Sequence, residues 1–410
     1  MRYILACVCA LGITVAIAAT VSAAPQRPAA AAATWRIAAT IRPGHGGRVF
    51  VSSVSAPAAN DVWALGGTLT DANKSFPVLD HWNGRAWQRV SVPGAGYPFN
   101  PYQVAASSAG DVWVFGLAAG VAHPRWAHWN GRSWTTGALP VIRVAGNNAP
   151  AVTITAAASA GPGDVWVAGT VTDWNSKFGL PAQAFLARDD GHGWRTYRIP
   201  ESMPNVVGIS ALSHTDVWAA ATAGQGTSGV GASTSNASVL LHWTGASWQS
   251  IPVPRTVSVS AVAGTSAHSA WVTGGLPGKG PGGLTYVAGA AYWNGSRWTT
   301  TTDPAADAQF PRTGYLDELT SVVSDGNGGL WAAAEPYPPI LSSLPGQASL
   351  WHYANGRWTG VQLGQFGDIN LFQLARAPGT TSIWAAGTAV NSASPGYPEN
   401  GIILQSRAGE

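Results

Sequence analysis

One repeat constrains this chain more than any other feature. A tryptophan flanked by small apolar residues returns seven times: DVWALG at Trp63, DVWVFG at Trp113, DVWVAG at Trp166, DVWAAA at Trp218, SAWVTG at Trp271, GLWAAA at Trp331 and SIWAAG at Trp384. Successive copies lie 50, 53, 52, 53, 60 and 53 residues apart. A period near fifty residues belongs to propellers, solenoids and arrays, where each unit buries its faces against its neighbours.

A second motif alternates with the first. It is a polar turn followed by tryptophan: HWNGRAW (Trp87), HWNGRSW (Trp134), RDDGHGW (Trp194), HWTGASW (Trp248), YWNGSRW (Trp298) and HYANGRW (Trp358). That is one copy short. After Trp384 the chain runs into GIILQSRAGE with no turn and no tryptophan. The N-terminal stretch TWRIAATIRP, with Trp35, reads like AWQRVSVP and supplies the seventh copy.

Each unit divides into four short strands. In the first they are VFVSSVSA, DVWALGG, PVLDHW and AWQRVSV, bounded by Gly, Pro, Asn and Asp clusters. The NGRA and NGSR sequences between strands three and four are hairpin signals, because Asn and Gly accept positive φ. Helical periodicity is absent after the N-terminal segment. The expected fold is all-β: a seven-bladed β-propeller of four-stranded antiparallel blades over residues 35–410, the last blade closed by the N-terminal strand. Such a clasp means that opening the ring requires breaking a sheet.

Residues 1–23 read as a secretory signal, with Arg2 as the charged region, Tyr3–Ala19 as the apolar core and Val21-Ser22-Ala23 as the cleavage site. The alternative is an uncleaved anchor, since Tyr3–Ala24 is long enough to span a bilayer needing about 20 residues. ILAC also has the outline of a lipoprotein box, but it precedes the apolar core. Residues 24–34 form a flexible Ala/Pro leader. Both cysteines, Cys7 and Cys9, fall in the signal, so the mature chain carries no thiol chemistry. The expected location is secreted or extracellular, or membrane-anchored at the N-terminus and facing outside. A formal charge of +3 and a charged fraction of 10% give no field for nucleic acid.

Chemistry-bearing residues follow the repeat. Asp61, Asp111, Asp164 and Asp216 precede the Val-Trp pair, and each is expected to bond backbone N–H groups in the turn entering strand two. His81, His128, His242 and His352 precede the strand-three aromatic, one per blade, too dispersed to share a metal. Asp325-Gly-Asn-Gly-Gly has the outline of a calcium loop without its spacing, and a turn is expected there. Eighteen of the 21 tryptophans fit three strand registers and are explained by packing. Trp126, Trp174 and Trp351 do not, and Trp351 is expected on its own sheet face. No cofactor or metal site is expected. The best acidic candidates for catalysis are Asp317, Glu318 and Glu335.

The motif pair DVWALG…HWNGRAW resembles the repeats of secreted bacterial β-propellers of the BNR/Asp-box-like and YVTN-like superfamily. The resemblance covers residues 35–410 and implies fold and secretion. The Gly-x-x-Trp of an Asp box stands at Gly84–Trp87 and Gly131–Trp134, but its Ser and Asp positions are not kept. The arginine triad, the Tyr/Glu nucleophile pair and the acid loop of the sialidases match no motif, so hydrolysis is not implied. Gly66-Gly67 and Gly274-Gly275 give a weaker similarity to galactose-oxidase/kelch propellers, whose copper chemistry needs a cysteine.

The connectors joining strands two to three and four to one are long and varied, while the other turns are short and uniform. Binding belongs on variable loops held by a rigid scaffold. The connectors carry aromatics that the strand registers do not require: Tyr97, Phe99, Tyr102, Trp174, Phe178, Phe310, Tyr315, Tyr337 and Tyr397. They are the expected ligand-binding residues of a monomeric binding or interaction propeller that recognises a glycan or a protein. The competing readings are an extracellular polysaccharide hydrolase or lyase and a purely structural module.

Overall fold

The Val-, Thr- and Trp-rich runs of the repeat form strands, and the Gly/Asn/Asp clusters between them form turns. The computed structural model describes residues 34–43, 47–70, 75–94, 99–118, 124–140, 150–173, 181–197, 199, 203, 205–223, 237–277, 286–302, 318–335, 350–361, 363, 368–390 and 399–407. The expected signal and the expected leader lie outside them except for Thr34, which belongs to the first strand.

Strand β1 (Thr34–Ile41) opens the chain. Blade 1 holds β2 (Arg48–Ala58), β3 (Asp61–Leu69), β4 (Ser75–Trp82) and β5 (Trp87–Val90). Blade 2 holds β6 (Phe99–Ser108), β7 (Asp111–Ala118), β8 (Arg125–Trp129) and β9 (Trp134–Ala138). Blade 3 holds β10 (Pro150–Gly161), β11 (Asp164–Asp173), β12 (Pro181–Asp189) and β13 (Trp194–Tyr197). Blade 4 holds β14 (Asn205–Ser213), β15 (Asp216–Thr222), β16 (Ser238–Trp243) and β17 (Trp248–Pro252). Blade 5 holds β18 (Ser258–Ser266), β19 (Ser269–Pro277), β20 (Tyr286–Trp293) and β21 (Trp298–Thr302). Blade 6 holds β22 (Glu318–Ser324), β23 (Leu330–Glu335), β24 (Leu350–Ala354) and β25 (Arg357–Val361). Blade 7 holds β26 (Asp368–Arg376), β27 (Ile383–Val390) and β28 (Glu399–Arg407), and β1 is its outer strand.

The closure expected from the sequence is present. β1 pairs antiparallel with β28 from Thr34 opposite Arg407 to Ile41 opposite Gly401. Around the ring the first strand of each blade touches the first strand of the next, and β2 packs on β26, β27 and β28.

Among the described residues the hydrophobic core is divided into seven clusters, one at each interface between adjacent blades. Strand two reads as a continuous apolar run because both of its faces are buried. In blade 1, Trp63 and Leu65 face blade 2, while Val62 and Ala64 face blade 7. The fourth-strand tryptophans meet the strand-two tryptophan of the preceding blade. Trp87 lies edge-on to Trp384 at 5.8 Å, Trp194 to Trp113 at 5.7 Å, Trp248 to Trp166 at 5.1 Å and Trp35 to Trp331 at 5.3 Å. Edge-to-face geometry at such separations contributes about 0.5–1.5 kcal/mol beyond area burial. Trp351 packs into the interface of blades 5 and 6 rather than only on its own sheet. Trp126 joins Trp113 in the interface of blades 2 and 3.

Every first strand carries a β-bulge at the same place. The ladder skips Ser52, Tyr102, Thr155, Val207, Ser260, Thr320 and Phe372 in blades 1 to 7. Strand two passes so close to the bulge that a Cβ at Gly66 would fall 1.9 Å from the Phe50 carbonyl oxygen. This accounts for the glycine three residues after most of the strand-two tryptophans.

Candidate functional site

The propeller has two ends. One carries the turns from strand one to two and from three to four. The other carries the long connectors.

The turns of the first end are held by side-chain caps. Asn83 Oδ1 accepts the Arg85 and Ala86 amides at 3.0 Å each, and Gly84 takes φ 86°. Asn130 and Asn294 repeat this in blades 2 and 5. Asp325 Oδ1 accepts the amides of Asn327 and Gly329 at 2.7 and 2.8 Å, so DGNGG is the turn expected.

The repeated aspartates depart from expectation. They bond chiefly across the sheet to a strand-three side chain rather than to the backbone of their own turn. Antiparallel register sets Trp63 opposite His81, Trp113 opposite His128, Trp218 opposite His242 and Trp331 opposite His352. Each imidazole stacks on its indole, with centroids 3.9–4.2 Å apart. Its Nε2 reaches a carboxylate: Asp61 at 2.9 Å, Asp111 at 2.7 Å, Asp216 at 2.9 Å and Asp325 at 3.1 Å. In blade 3 the place is taken by Arg188, which donates to both Asp164 oxygens at 2.8 and 2.6 Å and lies over the Trp166 and Trp243 rings. Tyr292 and Gln405 occupy it in blades 5 and 7.

Two carboxylates of this set are perturbed. Burial pushes Asp111 up, but bonds from His128, Ser107 and the Gly163 amide, with the His128 charge, bring it below the usual range. Asp325 is lowered against burial in the same way by His352 and the amides of Asn327 and Gly329. The Gly163 amide belongs to blade 3, so Asp111 also joins two blades. These groups are spent on each other, one set in each of blades 1, 2, 3, 4 and 6. Among the described residues no three His, Cys, Asp or Glu side chains lie close enough to hold a metal.

Tyr97, Trp174, Phe178, Phe310, Tyr315, Tyr337 and Tyr397 lie outside the described residues, as does Asp317. Phe99 and Tyr102 belong to strand β6, not to the preceding connector. Phe99 is buried in the interface of blades 1 and 2. Tyr102 reaches blade 3, where its hydroxyl accepts the Ile154 amide at 3.0 Å. The register brings together two acidic candidates that sequence separates: Glu318 and Glu335 are direct partners at the connector end of β22 and β23. Arg48 and Glu399 bridge blades 1 and 7 there at 3.5 Å.

No family model matches this sequence, and no curated protein matches it. Solved structures do. The β-propeller domain of the Trilobed protease from Pyrococcus furiosus, described as revealing an open velcro topology, matches with a TM-score of 0.54 at 6% identity, over 88% of this chain and 94% of that one. The GH74 xyloglucanase from Xanthomonas campestris matches at 0.50 and 16% identity over 90% of this chain. A puromycin-hydrolyzing peptidase from Mycobacterium tuberculosis matches at 0.50 and 11% identity over 87% of it. This chain spans only 55% and 51% of those two. At such identities the likeness is one of fold. The chain is a seven-bladed β-propeller, with its ring closed by a sheet formed from both termini of the domain.

Proposed function

We propose that this is an exported binding propeller whose strand two-to-three and four-to-one connectors take a glycan or a protein. The observation that carries this reading is the asymmetry of the two ends. At one end the Asp, His, Asn and Trp side chains are consumed in capping and pinning short turns. The stretches that join strands two to three and four to one at the other end are long and varied in sequence, and hold the aromatics that the strand registers do not require. Exposed rings within a polar rim serve both sugar faces and protein hot spots. The test is to change Trp174, Tyr315 and Tyr337 singly to Ala, then measure melting and binding to cell-wall polysaccharide or host extract. Lost binding with unchanged melting is the expected result. Unchanged binding in all three, or an intact protein that binds nothing, sinks the reading in favour of a structural module.

One observation favours a second reading, polysaccharide hydrolysis. Directly paired residues on antiparallel strands have Cα atoms about 4.5–5.5 Å apart, and glycoside hydrolysis uses two carboxyl groups about 5–9.5 Å apart. Glu318 and Glu335 meet the first condition. Reducing-sugar release from the same polysaccharides, abolished by either Glu318→Gln or Glu335→Gln, is the outcome this reading requires. Export is tested separately: the N-terminal mass of the mature chain should begin near Ala24, and an intact Met1 would favour the anchor.

A further inference from the structure

We infer that blade 6 carries a site of spontaneous covalent modification. Asn355 deamidates through a cyclic imide with Gly356, becoming aspartate and isoaspartate, while the Asn-Gly turns of blades 1, 2 and 5 hold their asparagines fixed. The site lies at the turn end and does not rest on any role of the connectors.

The chemistry needs only water. The backbone nitrogen of the following residue, having lost its proton, attacks the asparagine Cγ. The carboxamide nitrogen takes up a proton and leaves as ammonia, and the new N–Cγ bond closes the imide. Water then opens the ring at either carbonyl. One opening gives aspartate. The other gives isoaspartate, whose main chain runs through Cβ and Cγ. The net change is NH2 for OH. Glycine in the following position leaves the attacking nitrogen uncrowded, because it has no Cβ.

Asn-Gly pairs begin at Asn83, Asn130, Asn294, Asn327, Asn355 and Asn400, and the fold sorts them. Three are caps. Asn83 Oδ1 accepts the amides of Arg85 and Ala86, Asn130 Oδ1 those of Arg132 and Ser133, and Asn294 Oδ1 those of Ser296 and Arg297, all at 2.9–3.0 Å. Asn400 lies within β28, where Gly401 is paired with Thr388 on one side and Ile41 on the other.

Asn355 differs because its motif is displaced by one residue. Blade 1 reads His-Trp-Asn-Gly-Arg-Ala-Trp and blade 6 reads His-Tyr-Ala-Asn-Gly-Arg-Trp. In blade 1 the ladder ends at Trp82 opposite Trp87, and Asn83 starts the loop between them. In blade 6 the ladder continues to Ala354 opposite Arg357, which leaves only Asn355 and Gly356 to reverse the chain. Their φ values are 52° and 77°, as a two-residue type I′ turn requires. Placed there, the Asn355 carboxamide caps nothing. It is exposed and has no hydrogen-bond partner among the described residues. Asn355 is also the one non-glycine residue at positive φ among them. An L residue is less stable in that conformation, which lowers the cost of leaving it.

Space around the reacting nitrogen follows the same division. A Cβ on Gly84 would lie 2.9 Å from Asn60, on Gly131 3.2 Å from Gly110 and on Gly295 3.1 Å from His268. Those loops rest on the strand one-to-two turn of their own blade. Around Gly356 nothing lies within 4 Å of the same point. Departing ammonia and incoming water have room there. Asn327-Gly328, in the other turn of blade 6, shares the open space and is also uncapped. Its backbone is tied, however, because Asp325 Oδ1 accepts the amides of Asn327 and Gly329 on either side of the Gly328 nitrogen. It should react after Asn355.

The experiment is ageing of the purified full chain in mildly alkaline buffer. Fragment-ion mass mapping locates each NH2-to-OH exchange, and enzymatic methylation counts isoaspartate. Asn355 should convert first, with isoaspartate in the product. Asn83, Asn130 and Asn294 must each give up two hydrogen bonds to reach the ring, and should react about tenfold more slowly or less. In guanidinium chloride, where the caps are gone, these four should convert at similar rates. Asn355→Gly accepts the same positive φ and should remove the first acidic band that isoelectric focusing shows in the aged chain. The assignment is overturned if Asn355 stays intact in the folded chain over the time in which the unfolded chain converts it. It is overturned equally if any other Asn-Gly asparagine keeps pace with Asn355 in the folded chain, or if the first acidic band survives Asn355→Gly. Selectivity that persists unchanged in guanidinium chloride would overturn the role of the turn, since the local sequence would then set the rate.

Discussion

Trp35→Ala tests the clasp that closes the ring. Trp35 is 8% exposed in the outer strand of blade 7 and packs against Trp331 of blade 6. Burying a tryptophan removes about 200 Å² from water, which at about 25 cal/mol per Å² is about 5 kcal/mol. Its Nε1 is buried without a hydrogen-bond partner, which offsets about 1–3 kcal/mol of that. The expected net loss is about 3 kcal/mol, at the low end for large-to-small core changes. Unfolding entropy of about 2.1 cal/mol/K per residue gives a ring of this size about 0.8 kcal/mol/K, so Tm should fall by about 4 °C. Trp35→Phe keeps a ring and deletes the unpaired N–H, so it should lose about half as much or less. Thermal and urea denaturation measure both. A Trp35→Ala shift under about 1 °C would refute the burial reasoning, and equal losses for Ala and Phe would refute the offset. Removing residues 24–44 is the stronger form of the test. It bares the β28 edge, and the expected result is destabilisation or oligomerisation through that edge. A truncated monomer with unchanged melting means that β1 is no clasp.

Three further outcomes follow from side-chain bonds. Gln373→Ala leaves the Val54 amide of blade 1 unpaired and should cost about 1–3 kcal/mol by chemical denaturation, because this bond ties the last blade to the first independently of β1. Asp111→Asn should cost about 2 kcal/mol at neutral pH by the same measurement. Because the folded-state values of Asp111 and Asp325 lie below the unfolded value of about 3.9, their contribution is full above it and is lost as pH falls through the folded values. The decline in Tm below about pH 4 should therefore be shallower in Asp111→Asn than in the parent. Arg188→Lys keeps the charge but loses the paired donation to Asp164, the bond to the His214 carbonyl and the planar contact with Trp166 and Trp243. It should cost about 2–3 kcal/mol, and a neutral result would show that Arg188 acts as a point charge only.

The one-dimensional pattern was enough for everything set by period and local conformation. Tryptophans about fifty residues apart dictate one blade each, because a four-stranded unit with two apolar faces can be satisfied only by stacking on its neighbours. Asn83-Gly84 and its counterparts dictate where strands three and four reverse, because so few residues take positive φ. The missing seventh turn, and Trp35 at the other end, dictated a blade shared by both termini. Partnerships between side chains were a different matter. Asp61 and His81 are twenty residues apart and meet only because the register sets His81 opposite Trp63, two positions after the aspartate. The signal was present in the recurring Asp-x-Trp and His-Trp pairs, but it becomes a contact only once strands two and three are aligned. Trp351 and Phe99 were misplaced for a related reason: the repeat marks strands, whereas which face meets a neighbouring blade depends on the ring. The bulged residues themselves share no side-chain type, as Ser52, Tyr102, Val207 and Phe372 show, and only the recurring glycine of strand two beside them marks the place. What they share is a place where strand one must curve around the channel while strand two keeps its ladder. Glu318 and Glu335 likewise became neighbours only once β22 and β23 were aligned, and Gln103 is left with a buried, unpaired oxygen where blade 2 packs on blade 3.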